Sequence, residues 1–211
     1  MFSFSVIISV LCITSCQAFF IPFLEKSTTR SLQEWLKQHH PFVLEDITDF
    51  SFMTDFSSVK FNADNLFVTG FDKASVTKFV PPLPFFSDAM KVEGSVHKVF
   101  FHSNEYYIIG SYRGSNTLAT GAADVIINNL KIKLVFQVEK FNLLSLSLCI
   151  RPNTLSIILQ VDSILCQLEG AEHINTDVAA NGPYFMKLLE KELNDNSIMI
   201  EEIINQITCS P

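Results

Sequence analysis

The chain has 211 residues and a net charge of −7, and 48% of its residues are hydrophobic. This length suffices for one domain with a substantial core. The negative charge and the lack of any Lys/Arg cluster disfavour nucleic acids and anionic membrane surfaces, which attract basic patches. The sequence contains 20 phenylalanines. Because aromatic side chains bury large areas, we expect either a large core or an apolar cavity.

The beginning of the chain has the pattern of a secretory signal. Residues 2–13 are almost wholly apolar, and small residues follow at Cys16 and Ala18. An apolar stretch of this length is too short to span a bilayer and is typical of a signal peptide. We expect a signal peptide at residues 1–18, one domain at residues 19–211, and a secreted, extracellular protein. The alternative is a bacterial lipoprotein signal that is lipidated at Cys16.

Three cysteines remain after that cleavage: Cys149, Cys166 and Cys209. An oxidising compartment favours one disulfide with one thiol left over. We predict a Cys149–Cys166 disulfide, because both residues lie on or next to neighbouring predicted strands. The alternative is Cys149–Cys209, which would tie the C-terminal segment to the sheet.

The first predicted element is an amphipathic helix that begins near Ser27 and ends before Pro41. Leu32, Trp35 and Leu36 fall on one face of this helix. Trp35 is the only tryptophan. It serves either as a core anchor or as part of a ligand pocket.

A series of strands is predicted after the helix. Alternation indicates short strands at 59–61, 66–69 and 75–80, and longer ones at 91–101 and 106–112 joined by a hairpin loop at 102–105. The apolar parity switches within 91–101, which predicts a β-bulge near His97. Residues 114–121, rich in Gly, Ser, Asn and Thr, predict a mobile loop.

The clearest pattern is the strict alternation between residues 130 and 161. Three strands are predicted there, at 130–140, 144–150 and 155–161, with a turn at 151–154. Alternate side chains point to opposite faces, so this is an antiparallel meander with one apolar face. Helices of the same chain, a second sheet or an apolar ligand must cover that face.

The C-terminal part predicts two amphipathic helices, which follow Gly182-Pro183 and Asn196. Glu201 and Glu202 are expected on the solvated side of the second helix. The order of helix, long antiparallel sheet and C-terminal helices is typical of an α+β fold.

Motifs that would indicate an enzyme are absent from the sequence. It contains no nucleophile elbow, phosphate-binding loop, dinucleotide fingerprint or His-Glu-x-x-His pair. The adjacent His39 and His40 cannot both face one metal from a helix. We therefore expect no catalysis, no metal site and no cofactor.

Several strings resemble the tubular lipid-binding superfamily, in its arthropod branch of juvenile-hormone-binding and takeout-like proteins and mite group 7 allergens. Leu-Phe-Val-Thr-Gly-Phe at 66–71 and Tyr-Ile-Ile-Gly-Ser-Tyr at 107–112 are similar to two strands of the family. Residues 155–168, followed by Asn175, resemble an alternating strand, and residues 193–203 resemble the C-terminal helix. The paired N-terminal cysteines and a Leu-Pro string of the hormone-binding group are missing.

This resemblance implies a long curved antiparallel sheet wrapped around a long amphipathic helix, half of a BPI-like fold, with an apolar tunnel and no catalysis. We expect a carrier or sensor of a small hydrophobic ligand such as a lipid, fatty acid or terpenoid, with no nucleic-acid partner and no stable membrane insertion. The alternative is a secreted interaction protein with a filled core and an exposed patch such as residues 81–86.

Candidate ligand-binding residues are chosen from the alternate apolar positions of the predicted strands and from the apolar face of the first predicted helix. They are Leu32, Trp35, Leu36, Ile132, Leu134, Phe136, Leu146, Leu148, Ile157 and Leu159.

Overall fold

The computed structural model describes residues 41–44, 47–54, 57–82, 88–142 and 147–208, together with isolated helical positions between 26 and 38. Within these residues the chain forms ten antiparallel strands followed by three helices. The strands are β1 (Phe42–Leu44), β2 (Ile47–Thr54), β3 (Ser57–Asp64), β4 (Leu66–Thr69), β5 (Ser75–Val80), β6 (Ala89–Tyr112), β7 (Ser115–Asn142), β8 (Ser147–Ile150), β9 (Ser156–Gln160) and β10 (Ser163–Leu168). The helices are α1 (Glu172–Ala180), α2 (Gly182–Asp195) and α3 (Ser197–Thr208).

The sheet is built on one long hairpin, β6–β7, with strands of 24 and 28 residues. Arg113 and Gly114 form its two-residue turn, with φ of 48° and 79°. Positive φ at both positions is the geometry of a type I′ turn, which matches the twist of the strands. At ~3.3 Å per residue the longer strand follows a path of roughly 90 Å. Such a length dictates a strongly twisted or curved sheet.

Two loops predicted from the sequence are therefore wrong, because both segments belong to this hairpin. Residues 114–121 lie almost entirely in β7, where pairing with β6 orders a Gly- and Thr-rich sequence. The predicted loop at 102–105 is a bulge, since the register shifts between Ser103 and Tyr106. Ser103 is fully buried, and its hydroxyl oxygen lies 2.7 Å from the carbonyl oxygens of both Asp64 and Glu105, so its one O–H is shared between these two acceptors. One of the polar residues that predicted a loop at 102–105, Ser103, is therefore buried and satisfied within the sheet.

Near His97, as predicted, the buried side chains change from even-numbered to odd-numbered positions, but the change affects both strands of the hairpin. Buried residues change parity between Val96 and Val99, and the pairing skips His97 opposite Asn129. Asn129 has a φ of 53°, and its side-chain oxygen lies 2.7 Å from Nδ1 of His97. One residue of each strand, His97 on β6 and Asn129 on β7, is left out of the pairing. The register of the two strands is therefore the same before and after these residues. The predicted β-bulge near His97 is wrong, because neither strand has an extra residue there.

Short strands lie end to end along the two edges of the hairpin. β3, β4 and β5 follow one another along β6. β10, β9 and β8 do the same along β7. The pairing of β7 with β8 in the predicted meander is confirmed, but the predicted pairing of β8 with β9 is wrong, since β9 also pairs with β7. The turn at 151–154 is an excursion within one edge line, where Asn153 has a φ of 59°.

That excursion is stabilised by a buried carboxylate from α3. Glu201 is only 2% exposed. Its carboxylate accepts hydrogen bonds from the backbone N–H groups of Asn153, Thr154 and Leu155, at 2.6–2.8 Å. The expectation that Glu201 is solvated is wrong, because its partners come from a distant turn; Glu202 is exposed.

Two glycines in the strings that resemble the tubular lipid-binding family lie where strands approach closely. Gly70 has a φ of 100°, and a Cβ there would come 2.1 Å from the carbonyl oxygen of Lys98. Gly110 has a φ of 147°, and a Cβ there would come 2.1 Å from the carbonyl oxygen of Ser58. No residue with a side chain fits either position without a backbone shift.

The three helices cover the outer edge of the β8–β10 line through side-chain amides. Each helix supplies one asparagine that bonds both the N–H and the C=O of a single strand residue, at 2.7–3.0 Å. We call these contacts asparagine clasps. They join Asn175 to Leu168, Asn194 to Ile157 and Asn205 to Ile150. An amide side chain thereby replaces the peptide group of a further strand.

The N-terminal helical positions lie beside β5. The hydroxyl of Thr29 accepts a hydrogen bond from the N–H of Val76 at 2.9 Å, and Gln33 donates to the carbonyl of Ala74 at 2.8 Å. The large antiparallel sheet of the predicted fold is confirmed. A long helix wrapped by that sheet is not confirmed, since Leu32, Trp35 and Leu36 lie outside the described residues. Among the helices that are described, none combines the length and hydropathy needed to cross a bilayer.

Candidate functional site

The candidate site is the inner face of the sheet, defined here as the face that carries the buried Leu130 and Phe136. The register places Ile132 directly opposite Leu159, and Leu134 directly opposite Ile157. Five of the ten predicted ligand-binding residues therefore share this face: Ile132, Leu134, Phe136, Ile157 and Leu159. The alternation in the sequence predicted their common side correctly.

Burial divides these five residues into two groups. Phe136, Ile157 and Leu159 are fully buried and belong to the core. Ile132 and Leu134 are only half-buried, although they pack against that core. Half-buried large aliphatic side chains on an inner face are the positions at which an apolar ligand can remove further area from water.

Two neighbours on β6 complete this half-buried region. Val92 pairs with Leu134 and is itself half-buried, and Gly94 pairs with Ile132. By parity with Met90 and Val96, Gly94 belongs to the inner face, where it contributes no side chain. We call the three half-buried residues Val92, Ile132 and Leu134 the inner apolar patch. The parity of residues 90–96 could have indicated Val92 and Gly94.

The other predicted ligand-binding residues are not placed. Leu32, Trp35, Leu36 and Leu146 lie outside the described residues. The backbone of Leu148 pairs with Phe141 in the β7–β8 ladder, but its side chain is not among those described. Their shared site with the inner apolar patch stays a prediction.

The predicted Cys149–Cys166 disulfide is wrong, because Cys166 is a free thiol. Cys166 pairs with Val125 on the inner face of β10, and burial raises the pKa of its thiol to about 11. Cys149 is disulfide-bonded. The remaining cysteines, Cys12, Cys16 and Cys209, all lie outside the described residues. The two predicted partners lie on β8 and β10, at opposite ends of one edge line with β9 between them, so they are not cross-strand neighbours.

The polar side chains buried near the hairpin turn are engaged with one another. The Tyr112 hydroxyl donates to the carboxylate of Asp177, which also contacts Arg113 at 2.7 Å and the Asn181 amide at 2.7 Å. Burial, followed by the hydrogen bond to Asp177, raises the pKa of Tyr112 well above its usual value. These contacts tie α1 to the turn, and sequence reasoning did not anticipate them.

Within the described part of the chain, no group of three or more His, Cys, Asp or Glu residues could hold a metal ion. The buried Glu201 and the partly buried Asp177 are both satisfied by hydrogen bonds. The inner apolar patch has no titratable residue. Its chemistry is the burial of apolar surface.

Comparisons with known proteins match this chain by structure alone. No family model matches the sequence, and no curated protein matches it. The crystal structure of Takeout 1 from Epiphyas postvittana aligns with a TM-score of 0.54 and 15% sequence identity, over 92% of this chain and 88% of that one. A lipopolysaccharide-binding protein aligns with a TM-score of 0.33 and 12% identity, over 82% of this chain and 38% of that one.

The Takeout 1 alignment covers nearly the whole of both chains, so the likeness is one of complete architecture. Its low identity limits the likeness to the fold. The resemblance predicted from the two glycine-containing strands and the C-terminal helix is confirmed at this level. The chain therefore has the fold seen in the crystal structure of Takeout 1.

Proposed function

We propose that this chain is a secreted, non-enzymatic carrier or sensor of a small hydrophobic ligand such as a lipid, fatty acid or terpenoid. The observation that supports it most directly is the inner apolar patch. Val92, Ile132 and Leu134 are apolar and half-buried near the open end of the β6–β7 hairpin, beside a glycine. The fold of the tubular lipid-binding superfamily supports the same conclusion. Secretion rests on the apolar segment at residues 2–13.

The predicted geometry of the ligand site combines two elements. The helix that carries Leu32, Trp35 and Leu36 supplies one wall, and the inner apolar patch supplies the other. Trp35 is the only tryptophan, so its fluorescence reports on this site alone. A ligand that binds with micromolar affinity, ~8 kcal/mol, should shift or quench that emission saturably.

The decisive experiment compares two neighbouring positions on β7. Leu134→Trp fills the inner apolar patch, whereas Val135→Trp adds the same side chain on the opposite face. Calorimetry with a long-chain fatty acid and with a sesquiterpene alcohol should show weaker binding for Leu134→Trp and unchanged binding for Val135→Trp. If no cavity exists, Leu134→Trp should instead lose ~1–3 kcal/mol of stability through overpacking. That result, with no ligand response in the parent protein, contradicts the proposal.

A second candidate is a secreted interaction protein of the same fold with a filled core. An exposed apolar pair on the outer face favours it: Ile109 is 42% exposed, and its cross-strand partner Leu118 is 68% exposed. Of the exposed patch predicted at residues 81–86, the structure describes only Pro81 and Pro82. Native mass spectrometry after organic extraction separates the two functions. A carrier releases a co-purified apolar molecule, and an interaction protein does not.

A further inference from the structure

The outer face of the sheet carries a positive groove, although the chain as a whole is acidic. The net negative charge is concentrated at the C-terminal end, where residues 169–211 contain eight Asp or Glu and two Lys. Residues 1–168 contain 14 acidic and 13 basic residues and are nearly neutral. The excess of acidic residues therefore lies C-terminal to the strands, and it does not exclude a local excess of positive charge on the sheet.

The groove has a volume of about 440 Å³ and crosses strands β5, β6, β7 and β9. Two cross-strand rows run across it; their members on β6, β7 and β9 line the groove, and their β5 members adjoin Thr77, which lines it on that strand. The first row is Lys78, Glu93, Lys133 and Ile158. The second row is Ser75, Ser95, Lys131 and Gln160.

The second row presents hydrogen-bond donors and no carboxylate. The hydroxyls of Ser75 and Ser95 lie 3.2 Å apart, so they form a pair at one side of the groove. Lys131 follows on the next strand and Gln160 on the one after it, at the ~4.8 Å spacing of paired strands. Hydroxyl, ammonium and amide groups are all donors to an oxyanion.

Positive charge in the groove exceeds what its one carboxylate can neutralise. Glu93 lies 3.8 Å from both Lys78 and Lys133, so it is shared between two ammonium groups. Among the residues that the structure describes, no carboxylate lies within ion-pair distance of Lys131 or of the exposed Lys91, which lies one row further along β6.

We propose that this groove binds a phosphate-type oxyanion, presented either by a phospholipid headgroup or by free phosphate. A phosphate group carries up to two negative charges and several acceptor oxygens, which suits an array of ammonium groups and hydroxyls from three strands. By strand alternation, the charged and polar residues of the two rows belong to the face opposite the inner apolar patch, although Gly94 and Ile132 also contribute to the lining of the groove. The proposal therefore does not depend on the carrier function.

The experiment uses two double variants that lower the net charge equally. Lys131→Gln/Lys133→Gln removes the central ammonium groups of the groove. Lys60→Gln/Lys191→Gln removes exposed lysines on β3 and α2. Binding of inorganic phosphate is followed by the amide NMR shifts of Ser95 and Lys131. Binding to lipid is followed by co-sedimentation with phosphatidylcholine vesicles with and without phosphatidic acid.

Each lysine near an anionic surface contributes about fivefold to binding, so the groove variant should lose roughly 25-fold and the control variant less. Glu93→Gln should bind more tightly, because the competing carboxylate is gone. Phosphate shifts at Ser95 and Lys131 indicate free phosphate as the source. Binding only to phosphatidic acid vesicles indicates the headgroup. Absence of both, or equal losses in the two double variants, overturns the proposal, as does unchanged binding in Glu93→Gln.

Discussion

The two flanks of the β6–β7 hairpin are closed in different ways. On the β7 flank, the line of β8, β9 and β10 ends against helices, and asparagine clasps replace the next strand. On the β6 flank, further strands continue the sheet, because β1 pairs with β4 and β2 pairs with β3. On that flank, hydrogen bonds join the helical residues Thr29 to Val76 of β5 and Gln33 to the adjacent Ala74.

The comparison shows two solutions to the problem of an open sheet edge, which otherwise invites pairing with another chain. On the β6 flank, the open edges of β3 and β4 pair with the further strands β2 and β1. The β7 flank ends the ladder with side chains, and this requires asparagines at defined places on three helices. We therefore expect the β7 flank to depend more strongly on single residues than the β6 flank does.

The largest expected effect concerns the disulfide of Cys149, for which we predict Cys209 as the partner. That bond would close a loop of about 60 residues and stabilise the chain by ~4 kcal/mol in the chain-entropy model. It would tie the end of α3 to β8, where the Asn205 clasp lies. Non-reducing peptide mapping should recover a Cys149–Cys209 peptide, and chemical denaturation of Cys149→Ser/Cys209→Ser should show the loss.

The free thiol provides the control for this prediction. Cys166 is mostly buried, and burial raises its thiol pKa to about 11. Alkylation of Cys166 should therefore be slow until the protein unfolds. A peptide that links Cys149 to a residue other than Cys209 contradicts the prediction.

The next effect concerns the buried carboxylate of Glu201. Glu201→Ala leaves three backbone N–H groups without an acceptor, and each such bond to a charged group contributes ~1.5–3 kcal/mol. We expect a loss of at least ~3 kcal/mol in the free energy of unfolding by urea. Glu202→Ala, one position along α3 and exposed, should change it by less than ~0.5 kcal/mol. Equal effects of the two variants would show that the excursion at 151–154 needs no support from α3.

A direct test of the two flanks compares Asn194→Ala with Thr29→Val. The first removes a clasp with two strand hydrogen bonds, at 2.7 and 2.9 Å, and should cost ~2 kcal/mol. The second removes the hydroxyl beside β5 and should cost ~1 kcal/mol. Exposed Asn116→Ala is the control. A larger loss for Thr29→Val in urea denaturation would reverse the order of the flanks.

The smallest expected effect on stability concerns the side-chain hydrogen bonds of His102, which lie between the two flanks where β6 pairs with β7. His102 donates from Nδ1 to Asp124 at 2.6 Å and from Nε2 to the Asn104 side-chain oxygen at 3.1 Å. These two hydrogen bonds, that to Asp124 foremost, raise the pKa of His102 above its usual 6.5. The contribution to stability is therefore complete below about pH 6.5 and is lost as the pH rises through the raised pKa.

The partly exposed pair should contribute less than ~1 kcal/mol. Urea denaturation on both sides of this pH range should show a larger gap between the parent protein and His102→Gln at the lower pH. Asp124→Asn should remove the same pH dependence. A gap that grows as the pH rises contradicts the assignment.

Alternation in the sequence predicted the faces of the sheet because side-chain direction depends only on the local backbone. Ile132, Leu134 and Ile157 were placed on one face by parity, and the structure agrees. The same local reasoning predicted a strand at residues 155–161. It could not identify that strand's partner, since the turn signal at 151–154 is equally compatible with a hairpin and with an excursion along one edge.

The contacts that close the molecule depend on residues far apart in the chain. Glu201 is one of two adjacent glutamates on an amphipathic helix, and nothing in its neighbourhood distinguishes it from Glu202. Its burial follows from the position of α3 beside the excursion, where three N–H groups point at one carboxylate. Strand pairing, the clasps and the free state of Cys166 were likewise decided by packing, because each joins elements whose relative placement no local pattern records.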